Sequence, residues 1–132
     1  MWPFLNLFLA CGMGAPEVPT VTDDAAQSTA AEVRRCLDSA ILLRTQGESE
    51  AAGKAVLGCY GAHFEPIERP LRAHNRKATL SLEYEFGRVA GRISQEGSGT
   101  AAIGMANRLA DRVERVLASM PVVSTAGDTG GR

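Results

Sequence analysis

Apolar positions recur along this chain at helical spacing, and no segment alternates as a half-buried strand would. Leu82, Phe86, Val89 and Ile93 follow one another at steps of four, three and four. That stripe predicts a helix over residues 76–94 with one buried face. Ala102, Ala106, Leu109, Val113, Val116 and Met120 continue the four-three rhythm and predict a longer helix over 100–120, with the seam of a bundle. Upstream, Val33, Leu37 and Ile41, with Ala40 beside them, mark a first helix. Its start reads as a capping box, Thr29-Ala30-Ala31-Glu32, and Gly47 ends it. A second helix covers 49–64, with Ala52, Ala55, Val56, Cys59 and Tyr60 on one side. Pro66 suits the first turn of a short third helix that runs to His74 and breaks at Asn75. Residues 95–99 form a loop, and Pro121 stops the last helix.

These elements make an all-α, antiparallel bundle of four to five helices over residues 28–121. Residues 12–27, with Pro16, Pro19 and small polar side chains, read as a flexible tether. Residues 122–132 read as a disordered tail. Composition agrees with thin, closely packed helices: 45% of residues are apolar but only 5% are aromatic, and glycine and alanine are plentiful. The formal net charge is -1, with both signs interspersed and no basic stripe evident, which argues against a nucleic-acid partner.

Residues 1–10 differ from the rest, being apolar apart from Asn6 and followed by Cys11-Gly12. A small residue before cysteine at the end of an apolar run resembles the lipobox of bacterial lipoproteins, in which the cysteine carries the lipid. The segment lacks a leading Lys or Arg and is short for an export signal. A start codon upstream of Met1 would account for both. Ten apolar residues cannot span a bilayer, which takes ~20. The expectation is therefore a periplasmic or cell-envelope domain that meets the membrane only through a lipid on Cys11.

The remaining two cysteines sit level. In a hairpin turning at residues 47 and 48, Cys36 and Cys59 are equally far from the turn, roughly 17 Å along each helix at ~1.5 Å per residue. The alanines around them allow close approach, and a disulfide needs Cα atoms roughly 4.4–6.8 Å apart. One bridge in an oxidising compartment is the favoured reading; two buried thiols packed as small hydrophobes is the other.

Chemistry concentrates around Pro66. Tyr60 and His63 lie on the last turn before it, and Glu65 and Glu68 bracket it. Oxygen and imidazole donors meeting at one bend suit an iron ion or another cation that prefers hard ligands. Equally, Glu65 stands where a helix N-cap stands and Glu68 lies in a first turn, so both would interact favourably with the helix dipole. Arg69 and Arg72 are near enough to pair with them.

The stretch from Cys59-Tyr60 through Phe64-Glu65-Pro66-Ile67-Glu68 to Leu71-Arg72 resembles the extracytoplasmic helical domain of bacterial high-affinity iron permeases. The likeness covers residues 33–93 and resumes at Leu82-Glu83, Phe86, Arg88 and Ile93. It implies iron handling outside the cytoplasmic membrane and carries over Glu65, Glu68 and Glu83 as iron contacts, with His63 or Tyr60 as supplements. The permease's membrane motif, Arg-Glu-Gly-x-Glu, does not occur in the chain, nor does a C-x-x-C-H haem motif. The resemblance thus points to an accessory domain, not an enzyme, partnering an iron permease or a periplasmic iron-handling protein. A structural or interaction lipoprotein with no metal site is the alternative, and a small redox or haem-binding bundle ranks third. Nucleotide-binding and hydrolase signatures do not occur. Gly58 and Gly61 are expected to permit close packing of the second helix.

Overall fold

A computed structural model describes residues 21–97, 99–120 and 122–123. The fold is all-α. A two-residue strand β1 (Val21–Thr22) leads into α1 (Asp23–Thr45), followed by α2 (Ser49–Cys59), α3 (Glu68–His74), α4 (Arg76–Ile93) and α5 (Gly99–Ala118). A second short strand, β2 (Val122–Val123), pairs in parallel with β1, Val21 opposite Val122 and Thr22 opposite Val123. α1 packs on α2 and α5, and α4 packs on the same two helices from the other side. Four long helices thus enclose one core, with α3 laid against α4.

The buried stripes are the ones the spacing anticipates. Val33, Leu37 and Ala40 of α1, Ala52, Val56 and Cys59 of α2, and Leu82, Phe86, Val89 and Ile93 of α4 are all buried. In α5 the stripe Ala102, Ala106, Leu109 and Val113 is buried and widened by Ala110 and Leu117. Ile41, Ala55, Tyr60 and Val116 are half-buried at its margins.

The ends differ from expectation in instructive ways. α1 begins seven residues early, at Asp23 instead of Ala30, because Thr22 and not Thr29 is the cap: its hydroxyl accepts a 3.1 Å bond from the Ala25 amide. Residues 23–27 are therefore helical and not part of the tether expected over 12–27. Ala26 is buried, and that contact favours the added turns. At the other end, Val122–Val123 pair with β1 and so depart from a tail beginning at 122. Residues 124–132, the segment 1–11 with Cys11, and the tether up to residue 20 lie outside the described residues. No helix among the described residues is long and apolar enough to cross a membrane.

Two hairpins set the bundle's handing-over points. At the end of α1, the Glu48 amide donates to the Leu43 carbonyl at 2.9 Å and the Gly47 amide to that of Arg44 at 3.0 Å. This is a Schellman closure, and Gly47 sits at φ +83, where a side chain would be strained. The α4–α5 turn uses Gly97 at φ +74. Arg44 joins the two hairpins, donating to the carbonyls of Gln95 at 3.0 Å and Gly97 at 2.6 Å.

Cys36 and Cys59 form a disulfide with Cα atoms 5.8 Å apart, so the equal-distance argument holds and α1 is tied to α2. Gly58 and Gly61 do not make the close contact expected of them: a Cβ at Gly58 would meet nothing within 4 Å, and one at Gly61 only Glu65 Oε1 at 3.8 Å. The close glycine is Gly53. A Cβ there would lie 2.7 Å from Ser94 Cβ and 3.0 Å from the Ala90 carbonyl oxygen, so α2 and α4 cross in contact at that point.

Replacing Gly53 by alanine should lower stability by about 1–3 kcal/mol, the range for overpacking a rigid contact, whereas Gly58→Ala should be neutral or stabilising. Paired denaturant titrations check both. Reduction of Cys36–Cys59, which closes a loop with a sequence separation of 23, should cost on the order of 3 kcal/mol in the same assay.

Candidate functional site

The chain does not stop and restart at Pro66 but stays helical through it. After Cys59 the helix widens into one π-helical turn, Tyr60–Phe64, in which the Glu65 amide reaches back five residues to the Tyr60 carbonyl. It then tightens into a 3₁₀ turn, Glu65–Ile67, before α3 begins. Proline explains the sequence of turns. Its ring would strike the carbonyl four residues back in a regular α-helix, and it has no N–H to donate. Widening the preceding turn removes the clash and redirects the chain. Glu65 accordingly has helical angles, φ -53 and ψ -40, and is not the N-cap expected of it; no side-chain cap bond forms at either joint.

The redirected helix places α3 beside α4 and brings together groups distant in sequence. The Tyr60 hydroxyl donates a hydrogen bond to Glu68 Oε2. Arg72, one turn on from Glu68, donates to Glu68 Oε1 at 3.5 Å and to Glu83 Oε2 on α4 at 2.9 Å. Beneath them, the rings of Tyr60, Phe64 and Phe86 pack as a triangle with centroids 5.8, 5.4 and 5.3 Å apart. Phe64 and Phe86 are buried, so the carboxylates rest on an apolar floor.

That floor governs the electrostatics. The Glu68 side chain is only 12% exposed. Burial, more than any other influence, holds its carboxyl above the usual glutamate range; the neighbouring Glu83 acts in the same direction, while the Tyr60 hydroxyl and Arg72 oppose it. Tyr60 is likewise pushed up, first by burial and then by its bond to Glu68, with the charges of Glu68, Glu83 and Glu65 adding to the effect. The phenol is thus held protonated and serves as a donor, not a base.

Of the five residues singled out as metal contacts, Tyr60, Glu68 and Glu83 converge. Glu65 is exposed, on the side facing Gly61, and His63 is half-buried and takes no part in these bonds. Among the described residues no three His, Cys, Asp or Glu side chains are grouped to hold one ion. The convergent donors are two carboxylates and one phenol, all oxygen, with Arg72 lying across the carboxylates. Arg69, the other expected pairing partner, is exposed and outside the cluster. The aromatic floor escaped the sequence reading because Phe86 was recognisable there only as a core residue.

No family model, curated protein or solved structure matches this chain.

Because the folded state raises the proton affinity of Glu68, its carboxyl favours folding most when protonated, below its ordinary value of about 4.3, and this contribution is lost as pH rises through the higher folded value. The stability difference between the wild type and Glu68→Gln should therefore shift against the wild type on going from about pH 4 to about pH 7. Urea midpoints of the two proteins across that range test the sign.

Proposed function

We propose that this chain is an accessory helical domain of iron acquisition outside the cytoplasmic membrane, taking iron weakly at Glu68, Glu83 and Tyr60 or passing it to a permease docked on the same end of the bundle. The observation that carries this reading is the meeting of Glu68 and Glu83. Two of the three positions carried over by likeness to iron-permease domains lie 15 residues apart in sequence, yet both bond to Arg72. Hard carboxylate oxygens suit ferric iron, and the Tyr60 phenol becomes a ligand only by giving up its proton as the ion enters, a further cost that keeps binding weak. Arg72 bonds to both carboxylates but offsets only one of their two charges, and its side chain, 43% exposed, has room to swing out as the ion enters. A site that must exchange its guanidinium for the metal binds weakly, which suits a transfer station better than a store. Glu65, exposed on the adjoining turn, is placed to meet an arriving ion or a partner's basic group. Export and a lipid on Cys11 rest on the pattern of residues 1–11 alone.

A second reading has its own support. Arg72 satisfies both carboxylates and Tyr60 satisfies one, so the cluster can serve as an internal tie between α3 and α4 in an envelope interaction module with no metal.

Calorimetric titration of the full chain with anaerobic Fe(II), and with Fe(III)-citrate against citrate alone, separates the two. Saturable iron binding, weakened about tenfold or more by Glu68→Gln/Glu83→Gln in a folded protein, is the expected result. Absence of heat beyond the citrate control with either ion overturns the iron reading and leaves the tie.

A further inference from the structure

Between α4 and α5 lies an open groove of about 360 Å³ whose walls carry Arg88, Arg108, Arg112 and Arg115 beside Glu85 and Asp111. Both acids are already committed. Glu85 is bonded to Arg112 at 2.7 Å, and Arg112 is further fixed by a 2.7 Å bond to the Ser81 hydroxyl. Asp111 is bonded to Arg34 of α1, on the groove's outer side. Arg88, Arg108 and Arg115 have no carboxylate within 4 Å among the described residues, so three guanidinium groups from two helices line one concavity without a salt-bridge partner. Gly104 contributes to the arrangement: a Cβ there would come within 3.3 Å of Arg108 Nη1, so the bare backbone lets that guanidinium lie back along α5.

We propose that this groove is a binding site for a small polyanion carrying two or more carboxylate or phosphoryl groups. Guanidinium forks pair with such groups through two parallel hydrogen bonds, which an ammonium cannot do. The chain has twelve arginines against two lysines, and four of the twelve line this groove. Its volume lies at the small end of the range for ligand sites, which fits a compact anion and not a large cofactor. Arg112, held rigid by Glu85 and Ser81, provides the fixed edge against which the three other arginines close. The groove is separate from the Tyr60–Glu68–Glu83 cluster, shares no residue with it, and stands whether or not that cluster takes iron.

The test is calorimetry of the full chain with citrate and with pyrophosphate, each at 150 mM salt to suppress diffuse attraction, a concentration at which screening acts over roughly 8 Å. Two variants accompany the wild type: Arg88→Ala/Arg108→Ala/Arg115→Ala, and a control of equal charge loss, Arg69→Ala/Arg76→Ala/Arg92→Ala, outside the groove. Saturable binding of at least one probe, weakened about tenfold or more by the groove variant and unchanged in the control, is expected. The tighter probe then identifies the anion as carboxylate or phosphoryl. Circular dichroism confirms that both variants are folded, as three exposed substitutions away from the core should be. Failure of both probes to bind the wild type, or equal loss in groove variant and control, overturns the proposal.

Discussion

Close approach between helices is the constraint on which this structure depends. Seven of the buried residues are alanines, interleaved with leucine, valine and phenylalanine, so at several levels of the core nothing larger than a methyl group separates neighbouring helices. At Gly53 they do, with the Ala90 carbonyl and the Ser94 side chain occupying the space a Cβ would need. Such contacts recover dispersion energy that long side chains supply elsewhere, but they tolerate no added volume. A core of this kind gains from a covalent tie, and the Cys36–Cys59 bridge holds α1 and α2 at the separation their small residues permit.

Within that frame, Pro66 decides where the polar groups go. A regular helix cannot pass through it, and the solution adopted is a widened turn followed by a tightened one, with the chain helical throughout. The turn redirects α3 onto α4, and Glu68 arrives beside Glu83 over three packed aromatic rings. Burial by those rings then raises the proton affinity of the Glu68 carboxyl and of the Tyr60 hydroxyl. One steric fact about proline thus leads, through backbone geometry and packing, to a carboxylate pair bridged by a single arginine.

Arginine plays three different parts across the molecule. Arg44 stitches the two hairpin turns together through backbone carbonyls. Arg72, Arg112 and Arg34 each bridge helices by pairing with carboxylates. The remaining groove arginines, Arg88, Arg108 and Arg115, have no carboxylate partner among the described residues, and what sets them apart from other exposed arginines is that they line one concavity. Interspersed charge along the sequence conceals the difference, because Arg88 and Arg108 become neighbours only when α4 and α5 pack.

By itself the sequence determined the helices, their buried stripes, the hairpin at Gly47 and the level placement of Cys36 and Cys59. These follow from local periodicity, from glycine's access to positive φ and from a fixed rise per residue, none of which needs distant contacts. It also marked Tyr60, Glu68 and Glu83 as residues of interest, through composition and likeness. Tertiary structure alone decided that these three meet while Glu65 and His63 stay apart, that Gly53 is the crossing point where Gly58 and Gly61 are not, and that Thr22 caps the first helix in place of Thr29. Each of those outcomes depends on which surfaces pack together. A one-residue widening of the turn before Pro66 rotates every side chain beyond it, and the added N-terminal turns of α1 bury Ala26 against the bundle; both choices are made by the whole core.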